Sequence, residues 1–138
     1  MTEPHVEVKT RIQFGLRTFG AAPSPVATDL EYGSADPYAV TAVLHAGTGP
    51  VRWTFGRDLL ADGLIATAGE GDVAVAPAAD PSLVVIVLNS PDGAAVLEAP
   101  AQEVAAFLDR TYQAVPAGEE SAWFDFDDEL AKLAVRDS

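Results

Sequence analysis

The chain has no cysteine, only two histidines, a single methionine, and 8 basic residues against 21 acidic ones among its 138. Without a thiol, disulfides, cysteine nucleophiles and thiolate metal sites are excluded. His5 and His45 fall short of the three or more converging ligands a metal centre wants. His45 stands at a predicted strand end beside a glycine turn, where a structural or solvent-facing role is the simpler reading, and His5 belongs to the tail. The formal net charge of −13 repels DNA, RNA and anionic lipid unless a basic patch is segregated. Apolar runs are short. The strongest, residues 83–88, is far below the roughly 20 residues of a spanning helix, and residues 1–5 lack the apolar stretch of a signal peptide. A soluble, cytoplasmic protein with no direct membrane insertion is expected. The length fits a single domain over residues 1–138, able to bury about 68% of its unfolded surface.

What is present is mostly strand. In residues 6–19, Val8, Ile12, Phe14 and Leu16 share one face, while Lys9, Arg11, Gln13 and Arg17 share the other. That cationic face is the one candidate basic patch. It lacks base-stacking aromatics, since only Phe19 can fall on it, so a solvated strand face is the plainer reading. Val26, Thr28, Leu30 and Tyr32 alternate next, Asp36-Pro37 starts a turn, and residues 38–45 form a third strand. Gly47-Thr48-Gly49-Pro50 turns the chain into a fourth, with Val51, Trp53 and Phe55 on one face. Arg57-Asp58-Leu59-Leu60 reads as a short helix stopped by Gly63. Residues 72–77, 83–89 and 94–98 are three more strands, and short connections imply antiparallel neighbours. Residues 83–88 are apolar on both faces, so both need cover. The core covers one face, and a helix or second subunit the other. The expectation is that the cover includes a neighbouring copy of the chain.

Chemistry for making or breaking bonds is scarce. Gly69-Glu70-Gly71 is too short for a phosphate loop and no lysine follows it; it reads as a turn entering a strand. No serine sits in a Gly-x-Ser-x-Gly elbow. Asp58 and Asp62 stand four apart on the short helix and could in principle do acid–base work, but solvated helix-face acids are the commoner case. Pro100 fits a first helical position, and Val104, Phe107, Leu108, Thr111 and Val115 line one face of the helix that follows. Asp127 can cap a last helix with Leu130, Leu133 and Ala134 inward. The acidic run 125–129 lacks the glycine and the distant glutamate of a calcium loop. No catalytic residue, cofactor or metal is assigned, and the protein is read as a non-enzyme. Arg57 and Asp58 either clamp the start of the short helix or form an exposed recognition spot, and the clamp is preferred. The polar stretch 115–120 reads as a loop, and loops carry function more often than core elements. Gly118, Glu120, Arg57 and Asp58 are therefore the candidate contacts with a partner or within an assembly.

Several motifs occur in one order: Asp36-Pro37-Tyr38-Ala39-Val40, Trp53-Thr54-Phe55-Gly56-Arg57-Asp58-Leu59-Leu60, Asp62-Gly63-Leu64, Gly69-Glu70-Gly71-Asp72-Val73 and Ser90-Pro91-Asp92-Gly93. Leu97-Glu98-Ala99-Pro100, Phe107-Leu108-Asp109-Arg110-Thr111, Val115-Pro116-Ala117-Gly118-Glu119-Glu120 and Glu129-Leu130 follow. Together, over roughly residues 30–133, they resemble the SsgA-like sporulation and cell division proteins of filamentous actinobacteria. Gly56 stands where the family usually has alanine or serine, and Ala74 where a basic residue is common. The resemblance implies an α+β, β-rich, whirly-like fold of two antiparallel sheet units packed with helices, assembled as a homotrimer. It implies a noncatalytic role in sporulation-specific cell division, located at division septa. In length the chain looks most like the member that recruits the tubulin-like division GTPase, with an SsgA-like paralogue as a further partner. A competing reading is a single-stranded nucleic-acid-binding module of whirly-like fold, which the net charge opposes. A third is an activator of cell-wall hydrolysis.

Overall fold

Four strands and a helix, written twice, set the architecture. The first set is β1 (Glu7–Leu16), β2 (Ser24–Gly33), β3 (Ala39–Ala46), β4 (Gly49–Gly56) and α1 (Arg57–Gly63). The second is β5 (Ala68–Glu70), β6 (Val73–Pro77), β7 (Leu83–Ser90), β8 (Gly93–Pro100) and α2 (Ala101–Ala114). The computed structural model describes residues 5–18, 20–47 and 49–121. The expected last helix capped by Asp127, the acidic run 125–129 and Phe19 lie outside them.

Each set of strands is an antiparallel meander, and the two join in one strongly curled sheet of order β4-β3-β2-β1-β8-β7-β6-β5. The seam is short. β1 pairs with β8 through Gly15↔Glu98 and Leu16↔Leu97, and the Arg17 N–H donates to the Val96 carbonyl at 2.9 Å. An ion pair from Arg17 Nε to Glu98 at 2.8 Å closes it on the outside. The inward face carries Val8, Ile12, Phe14, Leu30 and Tyr32 from the first meander and Val75, Val84, Ile86 and Leu97 from the second, all buried. Each such aliphatic or aromatic side chain contributes on the order of 1.5–3 kcal/mol by leaving water. The helices fill the concavity crosswise. α1, at the end of the first set, packs on β5 and β6, while α2, at the end of the second, packs on β1 and β8. The face expected for α2, Val104, Phe107, Leu108 and Thr111, is buried, with Val115 just beyond.

The structure amends four boundaries. Residues 69–71 are more than a turn: Ala68–Glu70 form a short strand paired with β6, and Gly71 turns between them at φ +61°. Pro100 ends β8 in an extended conformation (φ −61°, ψ 118°) and α2 begins one residue later. A proline there sacrifices nothing, because the helix's first N–H, on Ala101, reaches the Ser82 carbonyl at 2.8 Å. β1 stops at Leu16, short of the expected residue 19, and β8 spans more than residues 94–98.

β7 has two unequal faces. Val84, Ile86 and Leu88 are buried, whereas Leu83, Val85 and Val87 are only half-buried. With Ala74, Ala76 and Val96 they form the outward face of the second meander, where Glu98 is the sole charged residue among the paired strand positions. The outward face of the first meander is ionic instead. Among the described residues, no helix is long and apolar enough to cross a membrane.

α1 is seven residues long and sits tightly on β6: a Cβ at Gly63 would fall 2.2 Å from Val75 Cγ1. Alanine would gain about 1 kcal/mol of helix propensity but overpack this contact by roughly 1–3 kcal/mol. Gly63→Ala is thus expected to lower the thermal midpoint by several degrees on circular dichroism. An unchanged or raised midpoint would mean that α1 is not pinned to β6.

Candidate functional site

Arg57 follows directly on β4, where its N–H donates to the Tyr38 carbonyl at 2.7 Å. The extended backbone of Gly56 then swings α1 inward, so the arginine side chain points under the last turn of α2. It is 0% exposed. Nη1 donates to the Thr111 carbonyl at 3.1 Å and to the Val115 carbonyl at 2.7 Å. Nη2 donates to Glu120 Oε2 at 2.8 Å. The Tyr32 and Tyr112 rings lie 5.0 and 4.1 Å from the guanidinium carbon, a pair of cation–π contacts in a desolvated setting. Among the described residues, Arg57 Nε has no hydrogen-bond partner although it is buried.

This arrangement solves a local problem. The last carbonyls of a helix lack intrahelical donors and carry its partial negative charge, and α2 has no basic residue in its last turn. Arg57, 54 positions earlier than Thr111, adds a second donor to the Thr111 carbonyl, which also accepts the Val115 N–H at 2.9 Å. It also supplies a donor to the Val115 carbonyl, together with the missing positive charge. A planar fork suits two carbonyls and a carboxylate at once; a lysine would not. The chain then doubles back at Gly118, whose φ of +85° is open to glycine at little cost. The Gly118 N–H donates to Glu120 Oε1 at 2.8 Å, so both oxygens of that carboxylate are engaged. Outside this core, the Tyr112 hydroxyl donates to Asp58 Oδ1 at 3.1 Å, and the Tyr32 hydroxyl donates to the Pro37 carbonyl at 2.9 Å.

The four residues singled out in the sequence therefore meet in one cluster, with different exposures. Arg57 and Glu120 are sealed from solvent, so in the single chain neither can touch a partner. They hold in place the exposed Asp58 and the exposed backbone around Gly118. The two tyrosine walls were not anticipated. The one available signal was a lone arginine between Phe55 and Leu59-Leu60, which had to find polar partners somewhere.

Burial pushes both phenols up, Tyr32 to about 12 and Tyr112, with help from Asp58, also to about 12. For Glu120, burial favours the neutral acid, but the Arg57 hydrogen bond and charge and the nearby N–H groups outweigh it, leaving the carboxyl below its ordinary value.

The cationic face of β1 is occupied by its own acids. Arg11 makes a two-pronged pair with Asp29, at 2.9 and 3.1 Å, and His45 Nε2 lies 2.9 Å from the same carboxylate. The Arg11 guanidinium, then His45, hold the Asp29 carboxyl well below the usual carboxylate range. Lys9 and Arg52 flank Glu31 at 3.3 and 3.4 Å. Each cation on this face is thus matched by a carboxylate, a poor starting point for a nucleic-acid phosphate. Among the described residues, no group of three or more potential ligands could hold a metal ion.

Two outcomes follow for stability. Arg57→Ala strands a buried carboxylate and is expected to cost about 3–5 kcal/mol in urea unfolding, against about 0.5 kcal/mol or less for the exposed Asp58→Ala. Equal effects would refute the buried pair. Asp29 and Glu120 both have depressed folded-state values. Their contribution is whole above the ordinary carboxylate range and is lost as pH falls through the folded values. Stability should therefore decline on acidification below about pH 4, and Glu120→Gln should flatten that decline.

The family model described as Streptomyces sporulation and cell division protein, SsgA, matches residues 26–120. The chain is 50% identical to the sporulation-specific cell division protein SsgB of Saccharopolyspora erythraea, over 99% of each. It is 49% identical to SsgB of Streptomyces coelicolor, over 79% of this chain and 82% of that one. Its fold superposes on the crystal structure of an SsgA-like sporulation-specific cell division protein from Thermobifida fusca with a TM-score of 0.87, at 39% identity, over 96% and 98% of the two chains. A solved structure from work on SsgB, in which mutations correlate to longitudinal cell division during sporulation of Streptomyces coelicolor, gives a TM-score of 0.84 at 42% identity, over 90% and 100%. The matched residues take in every member of the Arg57–Glu120 interlock, and the chain belongs to the SsgA-like family of sporulation and cell division proteins.

Proposed function

We propose that the chain is a noncatalytic assembly protein that recruits the tubulin-like division GTPase to sporulation septa. It does so as a homo-oligomer, a trimer by resemblance, with an SsgA-like paralogue as a further partner. The observation that carries this reading is the interlock. A buried arginine fixes the end of α2, the Gly118 turn and Asp58 in one rigid arrangement at the surface. Rigid presentation lowers the ordering cost of binding. Oligomerisation is supported by the outward face of the second meander, whose half-buried Leu83, Val85, Val87 and Val96 ask for an apolar neighbour. Copies of one surface held in a ring turn a weak contact into avidity on a polymeric partner.

Light scattering after size exclusion should show a trimer at micromolar concentration, and Val87→Asp should shift it toward monomer; a wild-type monomer would refute the assembly. Co-sedimentation with polymerised GTPase, with and without the paralogue, tests recruitment. The wild-type chain should pellet, and Asp58→Lys should pellet several-fold less. Absence of wild-type sedimentation in both conditions would overturn the reading.

A further inference from the structure

The curled sheet has two edges. β5 is three residues long and α1 packs against it. β4 is eight residues long, and among the described residues no strand pairs with its outer side. Register fixes what that edge offers. Ala46 and Gly49 pair across a two-residue connection, so theirs is the hydrogen-bonded closing pair, and bonded and non-bonded pairs alternate from it. Arg52 and Thr54 then belong to non-bonded pairs with Val43 and Thr41. The 3.0 Å approach of the Thr41 and Thr54 hydroxyls fits the closer spacing of such a pair. Their N–H and C=O groups point away from β3. Pro50 falls in the same set, so the N–H it lacks is an outer one, the arrangement edge strands tolerate.

The two sides of this edge differ chemically. Inward, the sheet leaves an apolar cleft of about 330 Å³ lined by Leu16, Val26, Leu44, Val51, Trp53 and Leu97. Val51 remains 45% exposed beside it. Outward stands the exposed Arg52, held among the described residues by a long 3.4 Å pair with Glu31; such an exposed pair is worth little and can yield to another carboxylate.

We propose that the outer edge of β4 docks an extended segment of a partner protein as an added strand. Its alternate apolar side chains lie beside Val51 and Trp53 over the cleft, and its intervening acidic side chains lie beside Arg52. The open backbone groups of Arg52 and Thr54 call for a strand, since a helix has already satisfied its own. The two-sided edge calls for alternation, and Arg52 sets the sign. Proline and arginine on an edge also discourage indiscriminate pairing. β4 of a second copy is a poorer occupant, because Pro50 would enter the ladder and two Arg52 side chains would share one face. This goes beyond recruitment of the GTPase and holds whichever protein supplies the segment.

A fluorescein-labelled peptide of about eight residues, alternating valine and aspartate, tests it by anisotropy on the full chain, against a control of the same composition with the valines grouped. Saturable binding is expected for the alternating probe and about tenfold weaker binding for the control. Thr54→Pro deletes one outer N–H where a strand edge accommodates the ring, and is expected to weaken binding at least about tenfold with an unchanged circular dichroism spectrum. Should that variant not fold, Arg52→Glu carries the test: affinity for the aspartate probe drops and affinity for a lysine-for-aspartate probe rises. No saturable binding at about millimolar probe, equal binding of the two peptides, or Arg52 and Thr54 amides already protected from hydrogen exchange in the free protein would overturn the proposal.

Discussion

A single guanidinium decides how the two halves of this molecule meet. Arg57 begins the helix that closes the first half, and its partners, Thr111, Val115 and Glu120, all belong to the end of the second. A buried ion pair is seldom a net gain over a well-packed apolar cluster, because two charges must be stripped of water. What it supplies is uniqueness. Only one placement of α2 against α1 satisfies two carbonyls, both oxygens of a carboxylate and two ring faces together. An apolar substitute would tolerate sliding; this cluster does not.

That demand shapes what the surface can do. Asp58 and the Gly118 turn are exposed, yet each is tied to the cluster, Gly118 through the buried Glu120 and Asp58 through the half-buried Tyr112. The sheet divides labour similarly between its outward faces. One is a lattice of paired charges around Asp29 and Glu31, and the other is nearly uncharged and built of small aliphatics. A chain with so few basic residues commits three of them, Lys9, Arg11 and Arg17, to carboxylates on its own strands, and holds a fourth, Arg52, by a longer exposed pair with Glu31. What is left for an outside partner is shape, backbone, acid and that one loosely held arginine.

Much of the fold could be read from residue order because it is written in period two. Val8, Ile12 and Phe14, then Val26, Leu30 and Tyr32, leave no doubt about which face goes inward, and the glycine and proline turns mark where strands end. β5 was not legible: three residues of Ala-Gly-Glu carry no alternation, and only pairing with β6 makes them a strand. The seam between β1 and β8 was equally invisible, since it joins positions more than eighty residues apart through a few bonds. At the candidate site, the residues were identified but their geometry was not. Sequence marks Arg57 as an arginine in apolar company. It does not say that its carboxylate lies 63 positions away, or that two tyrosines wall it in.

The crosswise helices carry a consequence for synthesis on the ribosome. When the first meander and α1 have emerged, the helix that carries Leu59 and Leu60 has only β4 to rest on, because β5 and β6, which give it most of its cover, are still being translated. β1 likewise waits for its second neighbour until β8 appears. The nascent first half is therefore a sheet with part of its apolar face open, and that face is fully covered only once β8 and α2 have been made, an interval in which it is exposed to other copies of the chain.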